Sequence, residues 1–472
     1  VRFNGVFFKI HKKEFYLKKI YVIILQNINL KIKNKFTMTK LNEKKILVIG
    51  SGGREHAICE AFKNSSQPTQ IFALPGNAGT KNIAENVKNV NINDFQAIIN
   101  FCEENKIDFV FVGPEQPLVE GLVDVLEHHK IRVFGPSKKA SQLEGSKIFM
   151  KKIADDNHVP TAQYQTFDDV KPALEFVKKI GFPCVIKADG LASGKGVIIA
   201  QNFEEATQSI AEILSGKFGD AGKKIIIEEF LKGFEVSYFV ICDGTNFLPL
   251  GFAHDHKKVG ENETGLNTGG MGTFAPSIFI NKNLEDKIIQ TIIIPTLDGM
   301  NKINAPFRGI LFAGLMIDGE NPKLLEFNTR FGDPETQVIL PRIKSDFVTL
   351  IESAIEGNLD NFKIEFDEEK KLVCVVICAN GYPEDYKKNI EIKNLRELEK
   401  RLENGAIIDG VKILHAGTIE KDGKILAIGG RVLNIVASDK DFSSARKKAY
   451  KIVDMIDWKD GFVRNDIAKK VE

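Results

Sequence analysis

The sequence predicts a multidomain protein that combines α/β and α+β architecture, on three observations. From Lys45 a strand, a glycine turn and a helix follow in succession, and strands alternate with helices as far as Gly145. Between about 146 and 360, strand-like runs crowd together. The last hundred residues hold two further strands and a closing helix. These patterns predict a doubly wound parallel-sheet domain over 44–145. A middle domain of antiparallel sheet with few helices is expected over 146–360, and a small α+β domain over 361–472.

Residues 1–43 stand apart as an N-terminal extension. Residues 1–37 carry nine Lys/Arg against one acidic residue, a local charge of +8, although the whole chain is only +2. The longest apolar piece there, Tyr21 to Leu25, is too short for a signal-peptide core. One arginine and no serine before Met38 make a poor transit peptide. We read Met38 as the start and the preceding residues as spurious translation of AT-rich sequence, with a disordered basic arm as the alternative.

The rest of the chain carries 56 basic and 62 acidic residues, a net of −6. That balance gives no electrostatic case for nucleic-acid binding. No apolar stretch reaches membrane-spanning length. The six cysteines form no C-x-x-C pair and no zinc spacing with the eight histidines. They read as buried free thiols of a reducing, cytoplasmic compartment.

In the first domain, Ile46 to Ile49 is a strand, Gly50-Ser51-Gly52-Gly53 a turn, and Arg54 to Phe62 a helix. Gln70 to Ala73, Asp108 to Val112 and Arg132 to Phe134 are the next strands. A turn between strand and helix presents backbone N–H groups to a phosphate. A dinucleotide site fits poorly: Glu55 replaces the third glycine of G-x-G-x-x-G, and the second strand ends without a ribose-binding carboxylate. Glu115, in Val112-Gly113-Pro114-Glu115, follows the third strand, where such sheets bind ligands.

In the middle domain the strands are Cys184 to Ala188, Val197 to Ala200, Lys224 to Phe230, Glu235 to Cys242, Gly309 to Asp318 and Lys323 to Asn328, with a helix over Leu284 to Asn301. Lys187 ends one strand, and the loop through Ser193, Gly194, Lys195 and Gly196 returns into the next. A hairpin of that composition can close over a triphosphate. Glu228, Phe230, Leu231 and Glu235 suit an adenine slot, although an amphipathic strand explains them equally well. Asp255 and His256 precede Asn267 to Gly272, whose glycines suggest backbone close to a small ligand, at Gly270 and Met271. His256 is expected to play a structural hydrogen-bonding role, with a metal-ligating or acid–base role as the alternative.

Strand alternation places Glu326 and Asn328 on one face and Leu325 and Phe327 on the other. Two oxygen donors followed by Arg330, Asp333 and Glu335 suit Mg²⁺ beside phosphate. In the last domain, Leu372 to Cys378 and Ala427 to Ala437 are strands, and Ser443 to Ile456 is the closing helix.

Together these segments resemble one family. Val48-Ile49-Gly50-Ser51-Gly52-Gly53-Arg54-Glu55-His56-Ala57, Pro75 to Thr80, Gly113-Pro114-Glu115, Leu143 to Lys147, Lys187 to Val197, Asn267 to Gly272 and Glu326 to Thr336 occur in the order seen in phosphoribosylamine–glycine ligases of the ATP-grasp superfamily. The resemblance covers about residues 44–472. Lys258 stands where an arginine is expected and Leu266 where a proline is expected. The resemblance implies an ATP-grasp fold that joins glycine to 5-phosphoribosylamine, giving glycinamide ribonucleotide, ADP and phosphate in purine synthesis. It implies ATP contacts at Lys147, Lys187, Glu228, Glu235 and the 193–196 loop. Glu326 and Asn328 would hold Mg²⁺ or Mn²⁺, and Arg330 with Lys187 would serve the transferred phosphoryl group. Gly52, Gly53, Glu115 and Asp333 would hold phosphoribosylamine, with Asp255, Gly270 and Met271 also at substrate. A cytoplasmic monomer is expected. Two other readings are a different ATP-grasp ligase or carboxylase, such as a biotin carboxylase-like enzyme, and a nicotinamide-dependent oxidoreductase or nucleotide sensor.

Overall fold

A computed structural model describes residues 43–191 and 196–472. Residues 1–42 of the N-terminal extension therefore lie outside the described residues, as do Ala192, Ser193, Gly194 and Lys195. The first sheet is parallel and contains β1 (Lys44–Gly50), β2 (Thr69–Pro75), β3 (Glu85–Asn86), β4 (Phe109–Val112) and β5 (Val133–Phe134), in the order β3-β2-β1-β4-β5. Helix α1 (Gly53–Lys63) follows β1 through the glycine turn. The strand order reverses between β1 and β4, so the turn and Gly113 to Glu115 meet at the switch point of the sheet. Continuous apolar runs such as Ile46 to Ile49, all at 0% exposure, show a sheet covered on both faces.

A second, antiparallel sheet contains β6 (Tyr164–Phe167), β7 (Cys184–Ala188), β8 (Val197–Ala200) and β9 (Ile225–Glu229), in the order β6-β9-β7-β8. Helices Val170–Ile180 and Phe203–Glu212 cover it and share with it a separate small core. A sheet with its own core is a separate packing unit.

The third sheet begins with β10 (Phe234–Asp243) and β11 (Phe247–Asp255), passes the hairpin β12 (Lys258–Gly260) and β13 (Thr264–Asn267), and takes in β14 (Gly272–Ala275), β15 (Arg308–Asp318) and β16 (Asn321–Asn328). It continues through β17 (Lys371–Ala379), past the short β18 (Ile390–Glu391), to β19 (Val411–His415). β18, β21 (Lys424–Ala427) and β20 (Thr418–Lys421) form a separate three-stranded sheet in that order, and β22 (Arg431–Asp439) and β23 (Gly461–Phe462) rejoin the large sheet. β14 bridges the two halves, paired with β11 on one side and β17 on the other. Period-2 alternation in β10 sends Val236, Tyr238, Val240 and Cys242 into one core and Phe239 and Ile241 into another.

Three expectations need correction. The middle of the chain is not poor in helices: α2 (Lys147–Asp156), Val170–Ile180, Phe203–Glu212, Lys282–Lys302 with a π turn at Ile289–Ile293, and Phe347–Glu356 all lie there. Each antiparallel sheet has an apolar face that helices must cover, and Val170, Ala173, Leu174 and Val177 supply such a stripe. The run Ala427 to Ala437 is two strands, because at Gly429 the chain passes against Gly417 too closely for a side chain. Finally, Leu325 does not share the core face with Phe327. A register shift in the β15–β16 pairing puts Leu324 there instead, at 0% exposure, and Leu325 lines a cavity. All six cysteines are free and buried. Among the described residues no helix is long and apolar enough to cross a membrane.

Candidate active site

Two cavities, of about 760 and 780 Å³, share the walls formed by Val197, Asp255, Lys257, Thr268 and Glu326. The first lies between the second and third sheets. Its apolar walls come from Val185, Val197, Ile199, Leu231, Met316 and Leu325, with Phe230 at 38% exposure. Lys187, Glu228 and Glu235 also line it. Glu229 to Gly233 connect the two sheets here, so main-chain groups edge an apolar slot.

Glu228 is only 2% exposed, and both its carboxylate oxygens meet lysines: Lys187 Nζ at 2.8 Å and Lys151 Nζ at 3.1 Å. Lys187 also donates to the Leu325 carbonyl at 3.3 Å. Glu235 pairs with Lys257 at 2.9 Å, and Glu235 leads the groups that raise the Lys257 ammonium against its burial. Lys147 opens α2, capped by Ser146, and donates to the Gly190 carbonyl at 3.1 Å. Burial pushes its ammonium below the usual lysine range.

Glu326 and Asn328 project from β16 into the second cavity. Burial pushes the Glu326 carboxyl up, but Lys257, Lys187, Lys147 and Arg330 more than reverse this and hold it below its ordinary value. Among the described residues no hydrogen bond or ion pair occupies its oxygens, whereas Asn328 Oδ1 accepts from Arg330 Nη2 at 3.1 Å. An ionised carboxylate with open lone pairs, one amide oxygen and a surround of lysines fit a divalent cation whose other ligands are phosphate oxygens and water.

Arg330 is pinned from four sides. It meets Glu115 at 3.1 Å, Glu144 at 2.7 Å, Asn328 and the Phe331 carbonyl at 3.2 Å. That uses four of its five N–H donors. Burial opposes its charge, but Glu144 and Glu115 hold the proton more firmly than usual. Arg330 in turn depresses Glu115 to about 2. Glu144 is raised by burial and accepts from Thr329 N at 2.8 Å.

At the far end of the second cavity stand Arg54, Asp333, Tyr382 and Arg431. Asp333 accepts from Gln337 at 2.7 Å and lies 3.4 Å from Arg431, which also donates to the Gly269 and Asp333 carbonyls. Asp255 and Glu335 are both raised, chiefly by burial. Gly270 has φ +115°, and a side chain there would strike Pro334 and Asp255. Met271 is fully buried and packs 3.6 Å from the Cys378 sulfur. His256 Nδ1 lies 3.2 Å from the Gly272 carbonyl and Nε2 accepts from Ala468 N, the structural role expected of it.

The glycine turn is closed from within. Glu55, 2% exposed, accepts from Gly52 N at 2.7 Å and meets Arg54 Nε at 2.5 Å. Its side chain fills the space that Cβ atoms at Gly50 and Gly113 would need. Gly53 is held against Asn434 and Gln337 in the same way. Glu55→Ala leaves Gly52 N–H without its acceptor and strips Arg54 of its ion-pair partner, leaving it only the Phe331 carbonyl at 3.0 Å, and is expected to cost about 3 kcal/mol. A denaturant midpoint near that of the parent would contradict this.

Sequence reasoning missed Lys151, Glu144, Arg54, Lys257 and Arg431. The last is isolated in sequence from every motif; Glu144 sits within Leu143 to Lys147, and Lys151 one helical turn past Lys147, which was the available signal. Gly196 lines the second cavity and, with Ala188, closes the base of the 189–195 loop.

The chain matches models of the phosphoribosylglycinamide synthetase N domain over 44–144, ATP-grasp (A) domain over 145–336 and C domain over 372–470. Phosphoribosylamine–glycine ligase of Brucella melitensis is 47% identical over 423 residues, covering 90% of this chain and 97% of that protein. The chloroplastic phosphoribosylamine–glycine ligase of Arabidopsis thaliana is 45% identical, covering 88% and 78%. The crystal structure of phosphoribosylamine–glycine ligase from Thermotoga maritima superposes with a TM-score of 0.76 at 32% identity, covering 90% of this chain and all of that one. A biotin carboxylase domain from Hydrogenobacter thermophilus, at TM-score 0.68 and 17% identity, shares the fold alone. The chain belongs to the phosphoribosylglycinamide synthetase family and has its ATP-grasp fold.

Proposed function

We propose that this chain ligates glycine to 5-phosphoribosylamine with hydrolysis of ATP to ADP and phosphate. The observation that carries the reading is the junction of the two cavities at Glu326. One cavity has the apolar slot and lysines of a nucleotide site, and the other has the guanidinium groups that suit a sugar phosphate.

ATP lies with adenine between Val185, Ile199 and Leu231, against the main chain at Phe230 and Leu231, and its ribose near Glu235. Lys147 and Lys187 reach its phosphates; Gly196 lines the second cavity, and the expected contacts at Ser193, Gly194 and Lys195 fall outside the described residues. Glu326 and Asn328 hold Mg²⁺ or Mn²⁺, which when bound neutralises charge on the phosphates. Phosphoribosylamine occupies the second cavity, with its phosphate towards Arg54 and Arg431 and its hydroxyls towards Glu115 and Asp333, bordered by Gly52 and Gly53. Glycine sits between the two, beside Asp255 and the main chain at Gly270 and Met271.

A carboxylate resists attack by an amine until one oxygen becomes a leaving group. A glycine oxygen attacks the γ-phosphorus and the bond to the ADP oxygen breaks. The ribosylamine nitrogen then attacks the carbonyl carbon of glycyl phosphate and loses a proton. Phosphate departs with the original carboxylate oxygen. Lys187 and Arg330 stabilise charge on the transferred group, and their preformed ion pairs fix them in place beforehand. The separate core of the second sheet lets it close over the nucleotide and keep water from the acyl phosphate.

The protein is expected to act as a cytoplasmic monomer on small molecules, without nucleic acid or membrane. The test is product mass. ATP, Mg²⁺, glycine and phosphoribosylamine generated from ribose 5-phosphate and ammonia should give glycinamide ribonucleotide, with ADP appearing only when both co-substrates are present. ADP formed without regard to glycine would leave the ATP-grasp fold standing and overturn the substrate assignment.

A further inference from the structure

Lys151 is the most deeply buried cation near the nucleotide cavity, at 0% exposure. It lies on α2 behind the wall and does not line either cavity. Its ammonium donates to Thr161 Oγ1 at 2.7 Å and to the Ala162 carbonyl at 3.4 Å, and pairs with Glu228 Oε1 at 3.1 Å. The other oxygen of Glu228 meets Lys187, which does line the cavity. Two lysines thus share one carboxylate, and the trio carries a net charge of +1.

We propose that Lys151 is a positioning residue for the nucleotide: by holding half of the Glu228 carboxylate, it keeps Lys187 from being fully neutralised and leaves its charge for the phosphates. The inference rests on the nucleotide reading of the first cavity. Without Lys151, Glu228 and Lys187 form a closed neutral pair, and the cavity wall attracts a polyphosphate less. The arrangement also explains why a carboxylate is tolerated at 2% exposure next to a site for anions.

The account has a pH signature. Burial lowers the Lys151 ammonium to about 8, with Glu228 opposing that and Lys187 adding to it. The groups facing it are Glu228 on β9, Lys187 on β7, Asp155 on its own helix and Tyr164 on β6, whose ring lies 4.9 Å from Nζ. Loss of the Lys151 proton as pH rises past about 8 has the same consequence as removing the charge by mutation.

The test measures Mg²⁺ with a non-hydrolysable ATP analogue by calorimetry, alongside steady-state kinetics. Lys151→Met should weaken analogue binding about tenfold and raise KM for ATP similarly, with KM for glycine unchanged. Lys151→Gln, which keeps a donor to Thr161, should show the same loss if the methionine variant folds poorly. The decisive comparison is across pH. Above pH 8 the parent should lose affinity, whereas Lys151→Met stays flat. Single variants within twofold of the parent, or a folded Lys151→Met whose affinity falls with pH as steeply as the parent's, would overturn the proposal. The calorimetric arm is independent of which acid and amine are joined. A parent enzyme that binds the analogue but ignores glycine would sink the substrate reading and leave this inference standing.

Discussion

Glu326→Ala is expected to lower turnover by about 10³-fold while leaving the protein folded. The lysines around Glu326 each retain another partner: Glu235 for Lys257, Glu228 for Lys187 and the Gly190 carbonyl for Lys147. Stability should therefore change by no more than about 1 kcal/mol. The loss should fall on the chemical step, because the carboxylate lines both cavities at their junction, where the proposed phosphoryl transfer takes place. Glu326→Gln keeps an oxygen donor without its charge and should fall between the parent and alanine. Steady-state kinetics across Mg²⁺ concentrations, with a thermal melt as control, checks this. Turnover within tenfold of the parent would remove Glu326 from the metal site.

Arg330→Met should harm both stability and activity. It leaves Glu144, whose side chain is 7% exposed, as an uncompensated buried carboxylate. Breaking such a pair costs about 3–5 kcal/mol. Glu115 adds less, because its side chain is about one-third exposed and solvent screens it. The sign of the pH dependence follows from Glu115. Arg330 depresses its carboxyl to about 2, below the ordinary glutamate value near ~4.3, so more protons bind on unfolding. Its contribution is complete above that unfolded value and disappears as pH falls through about 2. The gap between parent and Arg330→Met should therefore be widest near neutrality and narrow below about pH 4.5. Equilibrium unfolding at a series of pH values measures it, and a gap that grows on acidification would contradict the assignment. Arg330→Lys restores the charge without the fork that spans Glu115 and Glu144, and should recover stability better than activity.

Local patterns were legible because their causes are local. The turn after Ile49, the strand-borne Lys187 and the two donors Glu326 and Asn328 follow from spacing and residue type; Lys187, Glu326 and Asn328 line the cavities, whereas of the turn region only Arg54 does, Gly52 and Gly53 lying outside both linings. What was not legible depends on long-range packing. Arg431 reaches the second cavity only because β22 pairs with β17 and β17 with β14, a connection that brings the last hundred residues against the glycine loop. Glu55 was read as a broken fingerprint; in the fold it fills the space left by Gly50 and Gly113 and ties up Gly52 N–H. Lys151 reads as an ordinary helix lysine until Glu228 arrives from β9. Leu325 was misplaced because alternation assumes an unbroken ladder, and the bulge beside it shifts the face by one residue.

If glycine is activated by phosphorylation on its carboxylate, one of its oxygens must leave with the phosphate. The most direct measurement uses glycine labelled with ¹⁸O in both carboxylate oxygens, turned over with ATP, Mg²⁺ and phosphoribosylamine, with the released phosphate analysed by mass. Each phosphate should carry one ¹⁸O atom, retained when the C–O bond breaks as the amine attacks. Phosphate containing no label, formed in step with glycinamide ribonucleotide, would contradict it.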